Sequence, residues 1–131
     1  MAQIIIPAQE AISVLRANMQ PVAAIKSMDV TQRGPRLGIR LLPILPTMYI
    51  IIRFVKFEAS IALFELDGMP ASVNLNSILK LPQGITASGS RLSVNTDVLI
   101  RDMLKLRGLR LISVAWSDQA YHIATESSAT R

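Results

Sequence analysis

The chain has 131 residues, a formal net charge of +5 and a hydrophobic content of 50%, while charged residues make up only 18%. This length corresponds to a single domain that can bury a sufficient core without stabilisation by a metal ion or a disulfide bond. The chain has no cysteine, which excludes disulfides, thiolate metal sites and cysteine nucleophiles and is consistent with a cytoplasmic location.

The first third of the chain alternates between strand and helix patterns. Ala8, Ile12 and Leu15 recur at the spacing of the buried face of a helix, and Pro21 ends that pattern. Beyond it, alternation of apolar and polar residues predicts half-buried strands. The expected elements are a short strand at 3–6, a helix at about 8–20, a strand at about 22–32, a turn at 33–35 and a strand at 36–42.

Residues 41–66, LLPILPTMYIIIRFVKFEASIALFEL, form the most apolar stretch of the chain. A membrane helix needs about 20 largely apolar residues in succession, whereas two prolines and four charged side chains interrupt this stretch. Its density of β-branched and aromatic residues instead predicts two core strands, at about 48–57 and 61–66. The connecting turn at 58–60 lacks the glycine or asparagine of a tight hairpin, so its length is left open.

The second half of the chain predicts shorter elements. Asn95 or Thr96 can cap a helix that Gly108 is placed to end. The expected elements are helical turns within 74–81, a small hairpin from 85–87 and 91–94, a helix at about 96–107, strands at 109–117 and 120–125, and a polar tail at 126–131.

Together these elements predict an α+β fold. We expect one domain over residues 1–125, in which a mainly antiparallel sheet of long strands is packed by an N-terminal helix (about 8–20) and a later helix (about 96–107).

Residues with catalytic chemistry are few and scattered. His122 is the only histidine, and Asp118 and Glu126, four residues to either side, would not converge on it along a strand. The sequence lacks a glycine-rich phosphate loop and a nucleophile elbow, and its carboxylates lack metal-binding spacing. We therefore expect a non-enzymatic protein without a metal or cofactor.

The apolar strands predict more apolar surface than two helices can cover. We expect the uncovered part to bind a lipid-like ligand or to form the interface of a homo-oligomer. Trp116 could anchor either the core or an interface, and the sequence leaves this open. The candidate ligand or interface residues are Ile50, Ile52, Phe54, Phe57 and Trp116.

Basic residues indicate an alternative function. The closest cluster comprises Arg101, Lys105, Arg107 and Arg110, and it could contact nucleic acid or another anionic surface through phosphate groups. Because the remaining basic residues are dispersed along the chain, an ordinary basic surface is the favoured explanation of the charge.

Two segments have the pattern of a known family. YIIIRFVKFEASIALFEL has the form of two long apolar strands, and SRLSVNTDVLIRDMLKLRGLRLISVAWSDQAYHIA that of a strand, a capped helix, a glycine and two further strands. Over about residues 48–125 this order resembles small bacterial TULIP-like lipid-binding domains of the LmeA type. The resemblance implies long curved strands and helices around an apolar groove, and it identifies no functional residue.

Overall fold

The computed structural model describes residues 2–18, 25–40, 42–69, 83–102 and 108–127. Most of these residues lie in strands, and the α+β class predicted from the sequence is confirmed. The elements in these ranges are β1 Ala2–Pro7, α1 Ala8–Asn18, β2 Ile25–Thr31, β3 Gly34–Ile39, β4 Met48–Glu58, β5 Ile61–Asp67, β6 Ile85–Ser88, β7 Arg91–Asn95, α2 Thr96–Asp102, β8 Leu109–Ser117 and β9 Ala120–Ser127.

The strands form two antiparallel sheets. The larger sheet has the order β2-β3-β4-β5-β7-β6, and the smaller sheet has the order β1-β9-β8. Consecutive strands pair as hairpins in most places, but β7 lies between β5 and β6, and β1 pairs with β9 from the opposite end of the chain. These two pairings join segments that are distant from each other in the sequence.

The core lies on one face of the larger sheet. Alternate residues of β3 to β7 point to this face, since successive side chains of a strand point to opposite sides. Phe54 and Phe64 pair across β4 and β5 with an edge-to-face contact of 5.6 Å between ring centroids. The buried cluster comprises Leu37, Ile39, Ile50, Leu66, Ile85, Ala87 and Leu92.

Aromatic side chains connect the two sheets. Tyr121 of β9 contacts the core-facing Phe64 edge to face at 6.3 Å, and Trp116 of β8 lies 4.8 Å from Tyr121 between ring centroids. The Trp116 Nε1 donates a 3.0 Å hydrogen bond to the main-chain oxygen of Gln32 in the β2–β3 turn. The smaller sheet therefore packs on the core face of the larger sheet.

Both helices are fixed at their N-termini. In α1, Ala8 and Ile12 are buried, and the Ala8 amide donates to the Gln119 carbonyl at 2.9 Å. At α2, the Asn95 side chain accepts a bond from the Val98 amide at 3.3 Å, as expected for a helix cap. These contacts attach each helix to a neighbouring turn or strand.

Two tight turns contain left-handed residues other than glycine. Ala59 and Ser60 have φ angles of 53° and 67°, and Asp118 and Gln119 have 55° and 59°. Such values are typical of the primed two-residue hairpin turn. The carbonyl of Ser60 accepts bonds from both the amide and the hydroxyl of Thr96, at 2.9 and 3.0 Å, which holds the first turn in place.

Some boundaries differ from the sequence predictions. The third strand begins at Gly34, inside the expected turn, and ends at Ile39, because the chain bends into a turn in which the Leu45 amide donates to the Leu42 carbonyl at 3.0 Å. β9 continues through Ser127, two residues into the expected tail. Several predicted segments lie outside the described residues: the helical turns at 74–81, the ends of both predicted helices at 19–20 and 103–107, and residues 22–24 and 128–131.

Candidate interaction surfaces

The apolar residues of β4 that the sequence analysis selected face the interior of the protein. Ile50 is 0% exposed and belongs to the core cluster, against which Ile52 packs. Phe54 is half-buried against Phe64. Ile50 is thus a core residue and not part of an accessible interface, because the chain's own strands cover its side of the sheet.

The two remaining apolar candidates lie away from this cluster. Phe57 is half-buried near the end of β4, beyond a bulge between Phe54 and Lys56. Trp116 is partly exposed and bridges the two sheets through Gln32 and Tyr121. Its contacts are those of a packing residue at the edge of the core.

The basic cluster predicted from the sequence is partly neutralised. Arg101 forms an exposed ion pair with Asp102 at 3.2 Å, and Arg110 pairs with Glu126 across β8 and β9. Lys105 and Arg107 lie outside the described residues. The described part of this cluster therefore offers little unbalanced charge for phosphate groups.

The described residues offer no catalytic arrangement around His122. The imidazole Nε2 lies 3.2 Å from the carbonyl oxygen of Ser117, which occupies one ring nitrogen. An open hollow of about 480 Å³ beside this hairpin is lined by Gln32, Asp118 and Gln119, a set without a nucleophile next to a base. No group of three potential metal ligands occurs among the described residues.

Charges on the outer face of the larger sheet are paired across strands. Arg36 and Asp29 form a two-point ion pair, with 2.9 Å between Nε and Oδ1, and Arg53 lies 2.9 Å from Asp67. The hydrogen bond from Arg36 holds the pKa of Asp29 below its ordinary value. Since neighbouring charges alternate in sign, this face attracts neither anions nor cations strongly.

Three of the four sheet edges in the described structure have features that discourage pairing with another strand. β8 is bulged between Leu111 and Ser113. β2 is bulged between Ile25 and Ser27 and exposes Lys26 at that point. β6 is only four residues long. Bulges, edge lysines and short edge strands are the usual protections against edge-to-edge association.

The fourth edge, β1, has no bulge and no lysine, and its one proline, Pro7, is its last residue. It runs straight from Ala2 to Pro7 opposite β9 in unbroken register, and it contains no charged residue. Ile4 and Ile5 are 41% and 63% exposed. No second strand pairs with β1 among the described residues, so alternate main-chain N–H and C=O groups point away from the sheet. This edge was not among the sites predicted from the sequence, although the uncharged run AQIIIP was its signal.

A second exposed apolar feature is the connection between β3 and β4. We call residues 42–46 the apolar loop. Ile44 at its tip is 88% exposed, and Leu42 and Leu45 are also exposed. From the sequence, the prolines at 43 and 46 were interpreted only as interruptions of the apolar stretch 41–66. Exposed apolar side chains in such a group are unusual unless they contact a partner.

No helix among the described residues has both the length and the apolar character needed to cross a membrane. No protein-family model, curated protein or solved structure matches this chain.

Proposed function

We propose that this protein is a non-enzymatic interaction domain that self-associates through the free edge of β1. The observation that carries the proposal is the exposure of Ile4 and Ile5 on β1, the one described edge strand that is longer than four residues and has no bulge. An apolar edge without a bulge or a charged side chain is a template for another strand. We therefore expect this edge to pair with a strand of another molecule.

A second copy of β1 suits this edge better than a charged partner strand. Antiparallel pairing of β1 with itself follows a two-fold axis, and closed two-fold dimers are the commonest oligomers. Because β1 contains no charged residue, self-pairing places no like charges opposite each other. The two three-stranded sheets would join into one continuous sheet of six strands.

The isoleucines would gain burial on both faces of that joined sheet. Ile5 lies opposite His122, on the face of the smaller sheet that points away from the core. Ile4 lies opposite Ile123, on the face that bears Tyr121. Each apolar cross-strand pair contributes roughly 0.2–1 kcal/mol beyond the main-chain bonds.

Sedimentation velocity over a range of concentrations tests the proposal. The wild-type chain is expected to sediment as a concentration-dependent dimer. Ile5→Lys places a charge on the edge and should give a monomer with an unchanged circular dichroism spectrum. The matched control is Ile112→Lys on β8, another exposed isoleucine on an edge strand, which should leave the dimer intact. A wild-type chain that stays monomeric at every concentration would overturn the proposal.

A further inference from the structure

The apolar loop projects from one end of the larger sheet. It lies between β3, which ends at Ile39, and β4, which begins at Met48, and residues 42–46 are all exposed. Ile44 is the most exposed large apolar residue among those described. Apolar side chains at a convex tip cannot be shielded from water by their own chain, and they are stabilised when they enter an apolar phase.

Two cations without an ion-pair partner among the described residues flank this loop. Arg40 follows β3 immediately and is exposed. Lys26 is the bulge residue of β2 opposite Gly38 and Ile39, at the same end of the sheet, and is also exposed. Neither has an ion-pair partner in the described structure. The carboxylates on the adjoining polar face, Asp29 and Asp67, are already paired with arginines.

An exposed aromatic ring lies beside the loop. Tyr49 is the second residue of β4, and its phenol ring lies under the Arg36 guanidinium, 4.9 Å from ring centroid to Cζ. Tyrosine is enriched at the level of lipid headgroups because it combines an apolar ring with a polar hydroxyl. A tyrosine and two basic side chains therefore lie next to the apolar loop at the same end of the sheet.

We propose that the apolar loop inserts into the surface of a membrane that contains anionic lipids. Leu42, Ile44 and Leu45 would enter the acyl boundary, and Lys26 and Arg40 would lie at the headgroup phosphates. This combination of buried apolar area and attraction to anionic lipid is the usual basis of interfacial binding. The overall charge of +5 has the sign that this attraction requires.

A lipid surface suits the loop better than a protein surface does. A stable protein interface covers about 800 Å² on each partner, which is far more than a five-residue convex tip can provide. The two prolines and the bond from the Leu45 amide to the Leu42 carbonyl fix the loop conformation. A fixed loop loses little conformational entropy on insertion. The inference is independent of β1, which lies in the other sheet.

Co-sedimentation with vesicles tests the proposal. The wild-type chain is expected to bind vesicles of phosphatidylcholine mixed with phosphatidylglycerol and to bind pure phosphatidylcholine weakly. Ile44→Asp should reduce the partition coefficient about tenfold or more, because it removes the transfer of one large apolar side chain. Lys26→Gln with Arg40→Gln should weaken binding, as should a change from about 0.1 M to about 1 M salt, which shortens the screening length from about 10 Å to about 3 Å.

A site-specific label distinguishes insertion of the loop from general adsorption. Because the chain has no cysteine, Ile44→Cys can carry a single polarity-sensitive fluorophore. Val55→Cys, at an exposed position on β4, is the matched control. We expect a blue shift on anionic vesicles for the label at position 44 and none for the label at 55. Equal shifts at both positions, absence of vesicle binding by the wild-type chain, or full binding by Ile44→Asp would each overturn the proposal.

Discussion

Trp116 Nε1 donates a 3.0 Å hydrogen bond to the main-chain oxygen of Gln32. The two residues are 84 positions apart, and their bond joins the β8 strand of the smaller sheet to the β2–β3 turn of the larger one. The same indole ring contacts Tyr121, whose ring contacts Phe64 in the core. These ring contacts and this hydrogen bond together fix the position of the smaller sheet against the larger one.

Removal of that bond should weaken the contact between the sheets. Trp116→Phe keeps an aromatic ring against Tyr121 but leaves the Gln32 carbonyl without its donor. We expect a loss of about 1–2 kcal/mol in the free energy of unfolding, measured by urea denaturation. Gln32→Ala is the control, because it retains the main-chain oxygen and should change stability by less than about 0.5 kcal/mol. A larger effect of Gln32→Ala than of Trp116→Phe would refute this explanation.

Gly34 should tolerate no side chain. A Cβ atom at this position would overlap the main-chain oxygen of Ile52 on β4, and the φ angle of 147° disfavours other residues. We expect Gly34→Ala to reduce the free energy of unfolding by about 3 kcal/mol or more.

Gly89 provides the control for that change. Its φ angle is also positive, at 60°, but a Cβ atom there would meet nothing within 4 Å. Gly89→Ala should therefore reduce the free energy of unfolding by about 1 kcal/mol, which is the cost of the positive φ angle without any steric overlap. Similar losses for both variants would show that steric overlap at Gly34 is unimportant.

The hairpin turn at Ala59 and Ser60 should be open to stabilisation. Both residues have positive φ angles, which asparagine and glycine adopt at lower cost. We expect Ala59→Asn combined with Ser60→Gly to raise the free energy of unfolding by about 1 kcal/mol. The two bonds from Thr96 use the main-chain oxygen of residue 60 and should survive the change. Thermal and urea denaturation measure the gain, and a lower melting temperature would contradict the assigned turn conformation.

The Asp29–Arg36 pair should be visible in the titration of Asp29. Its folded-state pKa lies below the ordinary value, chiefly because of the hydrogen bond from Arg36. The pair therefore stabilises the folded state above the unfolded-state pKa of about 4, and this contribution is lost as pH falls through the folded-state pKa. NMR titration should show that Arg36→Gln raises the pKa of Asp29, whereas Arg91→Gln, which removes the partner of Glu65, leaves it unchanged. An unaltered pKa in Arg36→Gln would contradict the pairing.

Local pattern predicted the elements well where the pattern was strong. The span 48–57 was predicted as a strand and β4 occupies Met48–Glu58, because alternating β-branched and aromatic residues have few other stable conformations. The end of β3 was predicted three residues too late. The alternation of apolar residues continues to Leu41 in the sequence, but the chain is redirected by the turn at Leu42 to Leu45.

Pairing between distant segments could not be predicted in the same way. Nothing in the local sequence of β1 indicates that it pairs with β9, since Ala2 and Thr125 meet only when the whole fold is assembled. For the same reason Ile50 was expected from the sequence to be a ligand or interface residue, although the chain's own core buries it. Periodicity shows that one side of a strand is covered, but it does not show whether the cover is the same chain or a partner.

The concentration dependence of amide exchange in β1 tests the proposed self-association most directly. Main-chain N–H groups of Gln3 to Ile6 that point away from β9 should become more protected as protein concentration rises, because each finds a carbonyl on a second copy. Outward amides of β8, on the opposite edge of the same sheet, should exchange at a constant rate. Rapid exchange of the outward β1 amides at every concentration would contradict the account.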